Sequence, residues 1–176
     1  LYADWTFDWT ERLKLDIGGR WTDEDKHAFA LNQFYTDATF TSLSLLTTLG
    51  LSGADFGPDG KKVNFKNFSP KVSLDYQITP DIMVYGLASR GFKSGGFNIR
   101  ANTKALPRTG NPFDDESVDS FEIGSKMSFL DQRLFLNLSA FHNVYKDIQL
   151  SVFTTYPLPG GGLGFLGDFT NAGKGT

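Results

Sequence analysis

Few residues of this 176-residue chain are of types and spacings that support chemistry. His27 and His142 are its two histidines and lie far apart. A zinc site needs several His, Cys or carboxylate ligands converging, and the chain has no cysteine. Solvated or structural roles are expected for both. Asp23-Glu24-Asp25 and Asp114-Asp115-Glu116 offer oxygen ligands to a hard cation such as calcium, but the EF-hand spacing is absent and such clusters at loop bases are ordinarily solvated. Gly162-Leu163-Gly164-Phe165-Leu166-Gly167 matches G-x-G-x-x-G, a pattern that cradles a dinucleotide only between a buried strand and a helix. Here glycine and proline precede it and a strand opens at Asp168-Phe169-Thr170, so a flexible loop is expected. No Ser-His-Asp or paired-carboxylate constellation stands out. No enzyme, metal or cofactor is expected.

One run does carry binding chemistry: Arg90, Phe92, Lys93, Phe97, Asn98 and Arg100. Arginine and lysine pair with anionic ligands and aromatic rings offer flat contact surface. The competing reading is that these residues shape a loop.

The elements that position this run show a two-residue rhythm. Leu134, Leu136, Leu138 and Ala140 alternate with Phe135, Asn137, Ser139 and Phe141; Leu13, Leu15 and Ile17 alternate with Lys14 and Asp16; Val72, Leu74 and Tyr76 alternate with Lys71, Ser73, Asp75 and Gln77. Side chains alternate across a strand, so each run has one apolar and one polar face. The fold class is all-β, either an antiparallel transmembrane barrel segment or a soluble sandwich. In a barrel, Leu13, Leu15, Ile17, Val72, Leu74, Leu134, Leu136 and Leu138 face lipid, while Lys14, Asp16, Lys71, Asp75, Glu122, Lys126 and Asn137 face the lumen.

Composition fits either. Net charge is −3, with no basic field for nucleic acid. Mean hydropathy is −0.25 and no apolar run reaches the ~18 residues of a membrane helix. A barrel is equally hydrophilic, because only alternate residues meet lipid. The chain begins at Leu1 without Met or signal peptide and stops at Lys174-Gly175-Thr176 as a new segment opens; an internal piece of a longer polypeptide is expected.

Connection lengths favour the barrel. Short turns at Trp9–Arg12, Ile78–Asp81 and Leu130–Arg133 alternate with long connections at about 22–62, 91–115 and 156–167. Outer-membrane barrels pair short periplasmic turns with long extracellular loops in this way. Trp9, Tyr76, Tyr85 and Phe129 lie near the short turns and Trp21 at the far end of its strand, as two interfacial aromatic belts would place them. Strands are expected at about 1–9, 12–24, 62–77, 82–92, 115–129, 133–153 and from 168. Pro70 implies a bulge or break in the third strand. Pro58-Asp59-Gly60 reads as a turn and Thr41–Leu51 as a short loop helix.

These elements also carry a resemblance. Phe68-Ser69-Pro70-Lys71, Leu74-Asp75-Tyr76 and the run Tyr85-Gly86-Leu87-Ala88-Ser89-Arg90-Gly91-Phe92-Lys93-Ser94-Gly95-Gly96-Phe97-Asn98 resemble the barrel of TonB-dependent outer-membrane receptors. So do Glu116-Ser117-Val118, Phe121-Glu122-Ile123-Gly124-Ser125-Lys126, Leu130-Asp131-Gln132-Arg133-Leu134 with Asn137, Tyr145-Lys146-Asp147-Ile148-Gln149 and Asn171-Ala172-Gly173-Lys174. The likeness is close over about 65–176 and looser over 1–24. It implies that residues 1–176 are a partial barrel domain holding about six to seven of some 22 strands around a plug. It further implies a bacterial outer-membrane location, with lipid, the receptor's own plug and remaining strands, and TonB (through an N-terminal part outside this chain) as partners. The implied cargo is a scarce nutrient, most readily a ferric siderophore. The ligand-facing run would then be shared by receptors of different ligands, or would pack on the plug. A passive porin and a soluble extracellular β-sandwich binding module are the alternatives.

Overall fold

The computed structural model describes residues 1–29, 31–32, 53–54, 56, 59–103, 105–158 and 161–176. Seven strands form one antiparallel sheet: β1 (Tyr2–Asp8), β2 (Leu13–Ala28), β5 (Lys61–Thr79), β6 (Ile82–Lys93), β7 (Glu116–Phe129), β8 (Leu134–Pro157) and β9 (Leu163–Gly175). They pair strictly in chain order. A separate two-residue pair joins β3 (Leu31–Asn32) to β4 (Gly53–Ala54). Among the described residues the helical structure is a single 3-10 turn at Pro107–Gly110. The leucine-rich stretch 41–51 and Pro58 lie outside the described residues; at the other end of that expected turn, Gly60 takes φ +72°.

The register sorts side chains by face. Leu13, Leu15 and Ile17 stand opposite Tyr76, Leu74 and Val72, while Lys14 and Asp16 stand opposite Asp75 and Ser73. Glu122 and Lys126 pair with Leu87 and Met83 and, across β8, with Phe141 and Asn137. Alternation through the ladders puts Lys14, Asp16, Lys71, Asp75, Glu122, Lys126 and Asn137 on one polar face. The eight apolar residues grouped above share the other. On the apolar face Trp21 pairs with Phe68, both about half exposed. Leu13–Trp21, Phe68–Tyr76 and Phe121–Phe129 each span nine residues, the length of a tilted strand crossing about 30 Å of hydrocarbon. The band is staggered: Tyr76 pairs with Val84 and Val84 with Ser125, four residues short of Phe129. Tilted barrel strands produce such a stagger.

The short turns close one end of the sheet. Thr10 Oγ1 accepts from the Arg12 and Leu13 amides at 3.2 and 3.0 Å. Gln77 Nε2 donates to Thr79 O at 2.6 Å, where the β5–β6 register shifts. Leu130, Asp131 and Gln132 turn the chain with three successive positive φ values.

Two expectations change at the other end, and of the bulge or break expected at Pro70 it is the break that is found. The strands run further than the alternation indicates: β2 reaches Ala28, β5 begins at Lys61 and β8 reaches Pro157, so Asp23-Glu24-Asp25 lie within a strand and the third connection shrinks to 158–162. Beyond Trp21 and Phe68 the face that carries them turns polar, with Asn64 donating to Asp23 and Asp25 and Lys66 3.5 Å from Asp23, so the apolar rhythm fades while pairing continues. The G-x-G-x-x-G stretch is strand from Leu163 rather than loop. Pro70 makes no bulge against β2, where Gly19↔Pro70 keeps an unbroken register. What ends beside it is the β6 ladder, whose outermost pair is Lys71↔Ser89. Proline lacks the N–H that another rung requires. The sheet therefore forks: Lys61–Pro70 stay with β2, and Arg90–Lys93 stay with β7.

Candidate functional site

The connection 94–115 closes over the fork as a folded unit. Lys26 on β2 donates to Gly95 O at 2.6 Å, and Lys61 on β5 donates to Gly110 O at 2.8 Å. By alternation both lysines share the polar face of Lys14 and Asp75, so the loop lies over that face. Lys26 also sits 5.6 Å from the Phe65 ring, and Phe97 meets Phe56 edge-on at 5.3 Å. Arg20 on β2 reaches across the fork to within 6.0 Å of the Phe92 ring centroid.

The opposite side of the loop is fixed to β8 and β9. Asn98, buried, donates to Gly167 O at 2.8 Å and accepts from the Arg100 amide at 3.0 Å. Arg100 donates to Ser151 Oγ at 3.0 Å and covers the Phe169 ring at 5.7 Å; Phe169 stacks on Phe113 at 5.2 Å. Arg108 Nε donates to the buried Asp168 carboxylate at 3.1 Å and its Nη2 to Thr154 at 3.2 Å. A buried carboxylate is costly unless paired and hydrogen-bonded, and Arg108 together with the Phe169 amide supplies that. Asn102 Oδ1 accepts from the Ala105 amide, and the buried Thr109 accepts from the Asn102 amide and donates to Leu106 O, so the loop's interior is satisfied from within.

The six residues of the cationic–aromatic run separate on inspection. Lys93 and Arg100 are exposed, and the Lys93 ammonium has no partner among the described residues. Asn98 is a buried tie, Phe97 packs on Phe56, and Phe92 faces Arg20. Arg90 leaves the group. It pairs with Asp119 through Nε and Nη2 at 2.6 and 3.1 Å, and Lys146 reaches the same carboxylate at 2.7 Å. Alternation puts Arg90 with Ala88, and Asp119 with Phe121, on the apolar face; Lys93 lies on the other. Arg90 and Lys93 thus lie on opposite faces of β6, because odd and even positions of a strand point apart.

Of the aromatics, Trp21, Tyr76 and Phe129 lie on the apolar face and Trp9 is exposed in its turn. Tyr85 is on the polar face instead, donating to Glu122 at 2.6 Å beneath the Lys126 ammonium. Its ring covers Gly124, directly opposite. The histidines make no metal site: His27 Nε2 lies 3.0 Å from Asp59 O, His142 is exposed, and no three ligating side chains gather among the described residues.

Sequence reasoning missed Lys26, Lys61, Arg108 and Asp168. A buried aspartate sixty residues from its arginine leaves no local signature. Gln149 and Asn171 were legible only as part of the resemblance, yet they bind the loop's two feet.

The comparisons agree with this architecture. The family model described as TonB dependent receptor-like, beta-barrel matches residues 1–176. The chain is 34% identical over 80 residues to the metal-pseudopaline receptor CntO of Pseudomonas aeruginosa, covering 46% of this chain and 10% of that receptor. Among solved structures, the ferric yersiniabactin uptake receptor FyuA of Yersinia pestis superposes with TM-score 0.63 at 24% identity, over 85% of this chain and 20% of that one. The ferric-catecholate import receptor Fiu of E. coli K12 superposes with TM-score 0.63 at 17% identity, over 98% and 23%. The chain thus spans from about a tenth to a quarter of the length of these proteins. The fold is theirs: an all-β, antiparallel barrel wall. This chain belongs to the TonB-dependent receptor β-barrel family, whose members sit in the bacterial outer membrane.

Proposed function

We propose that the chain is part of the barrel wall of a receptor for energised uptake of a scarce nutrient, with a ferric siderophore as the cargo class. The observation that carries this reading is the 94–115 loop, built over the polar face and held on both flanks. A loop fixed in this way presents Lys93 and Arg100 beside aromatic rings at the mouth of the barrel. Anionic chelates suit such a surface. The apolar face meets lipid, with Trp21, Tyr76 and Phe129 at its two edges. The polar face meets the receptor's own plug, and TonB supplies energy through that plug. The remaining strands close the edges of β1 and β9, which lipid does not tolerate open. The barrel makes and breaks no covalent bond. Relatives named for metal-pseudopaline, ferric yersiniabactin and ferric catecholates support the cargo class.

The test is uptake by cells carrying the intact receptor. Iron delivered by a siderophore should enter in a manner abolished by loss of TonB or by an uncoupler. Uptake insensitive to both, or limited to small unchelated solutes, overturns the reading in favour of a passive channel.

A further inference from the structure

The 94–115 loop grips the β8–β9 hairpin from both of its faces. Ser151 pairs with Phe169 and, on the next rung, Val152 pairs with Asp168, so the two pairs present their side chains on opposite faces. Arg100 takes the first face, bonded to Ser151 and lying over Phe169. Arg108 takes the second, bonded to Asp168 and Thr154. The faces differ in cover: Phe153 and Phe165 are exposed on the first, whereas Tyr156 and Asp168 are buried on the second. A segment that touches both faces of a two-stranded hairpin must cross one of its edges.

The crossing point is Gly167. The Leu158 amide donates to Gly162 O at 3.2 Å, and the Gln149 amide donates to the Glu116 carboxylate at 3.0 Å instead of to β9. Hydrogen-bonded and open pairs alternate in an antiparallel ladder, so the even-numbered pairs of β8 and β9 are bonded here and Phe153↔Gly167 is open. The Gly167 N–H and C=O therefore point away from β8, to the outer edge of β9. That carbonyl accepts from Asn98 Nδ2 at 2.8 Å, and Asn98 and Ala101 are both buried. Arg100 lies against the same residue, since a Cβ on Gly167 would meet its guanidinium at 2.8 Å.

In the closed barrel of the receptor proposed above, on which this inference rests, that outer edge is where the strand after β9 pairs. We propose that the following strand pairs with β9 only as far as Phe169, and that from Gly167 toward Leu163 the edge belongs to the 94–115 loop, which crosses the wall there. The following strand leaves the sheet at this level, as β6 leaves β5 beside Pro70. The loop is then a strap that ties the β8–β9 hairpin to β6 and β7 through side chains on both of its faces.

The odd-numbered amides of this part of β9 report on the edge, because they point to the following strand. Hydrogen exchange of the intact, detergent-purified receptor is read amide by amide with electron-transfer fragmentation. Asn171 and Phe169 should be protected, and Phe165 should exchange on the order of a hundredfold faster. The even-numbered Leu166, bonded to β8, should stay protected and so separates an open edge from a frayed hairpin. Asn98→Ala should speed exchange across 98–110 and leave Asn171 and Phe169 protected; heat-modifiable gel mobility confirms that the variant is folded. Phe165 as protected as Phe169 means that the following strand runs past Gly167 and overturns the proposal. Leu166 as fast as Phe165, or exchange across 98–110 unchanged by Asn98→Ala, overturns it too. The measurement needs no cargo. TonB-dependent uptake with a protected Phe165 refutes this proposal alone, and passive uptake with a fast Phe165 refutes the uptake reading alone.

Discussion

Gln149 and Asn171 stand opposite each other on β8 and β9, and together they grip both feet of the 94–115 loop. The Gln149 amide nitrogen lies 3.2 Å from the carbonyls of Lys93 and Ser94 and 3.1 Å from that of Asp114. Asn171 reads Asp114 twice, accepting from its amide at 2.8 Å and donating to its carbonyl at 2.9 Å. Its nitrogen also donates to Asp147 O at 2.8 Å, where the backbone takes φ 55°. Backbone groups leaving a ladder need such partners, and here one cross-strand pair supplies them.

Asn171→Ala removes three of these bonds. A cost of about 1–3 kcal/mol is expected, localised to the loop rather than the sheet. Hydrogen exchange of the intact receptor should show faster labelling across 94–115 with the β7–β8 ladder unchanged. Uniform acceleration would mean that the loop and the sheet open as one unit.

Leu136 and Asn137 test the facial assignment. Leu136 lies on the apolar face, and Asn137 pairs with Lys126 on the polar one. Leu136 lies two residues inside the Phe129–Leu134 edge of the band, so Leu136→Arg should cost roughly 1–2 kcal/mol, short of the midplane penalty, measured by reversible folding into vesicles. Asn137→Arg should cost distinctly less. Equal penalties would contradict a lipid–lumen division.

Lys93, Arg100 and Arg90 should separate in ligand binding. Lys93→Gln and Arg100→Gln are expected to weaken binding of a ferric siderophore while receptor abundance is unchanged. Arg90→Gln should leave affinity intact, because its partner Asp119 lies on the other face. Equal loss from all three, for charged and neutral analogues alike, would point to lost loop shape instead of lost charge.

Gly124→Ala probes the polar wall. The new Cβ would fall 2.6 Å from the Tyr85 ring, so the ring must move, straining the Tyr85–Glu122 hydrogen bond. About 1–2 kcal/mol is expected in urea unfolding. In a Tyr85→Ala background that penalty should largely disappear, since the two residues interact directly.

The membrane-level portion of the fold was legible because lipid on one side and polar protein on the other imprint alternation on Leu13–Ile17, Lys71–Tyr76 and Leu134–Ala140. Above the bilayer the imprint vanishes. Asp23, Asp25 and Asn64 sit in paired strand with polar surroundings, and Leu163–Gly167 reads as loop although it is strand. The facial orientation of the candidate run was not legible. Arg90 and Lys93 are neighbours in sequence and lie on opposite faces of β6, which only the register reveals. Contacts such as Arg108–Asp168 join residues brought together by topology alone, so no local pattern announces them.

The fork beside Pro70 gives the wall two mechanical regimes. Within the bilayer, backbone hydrogen bonds zip β5 to β6 and fix the circumference. Outside it, the two branches are stitched by side chains: Lys26 and Lys61 to the loop, and Arg20 toward Phe92. Ammonium-to-carbonyl stitches exchange readily for water, whereas ladder rungs in hydrocarbon do not. The rim is therefore held by bonds that water can replace, while the belt below is held by rungs that water does not reach.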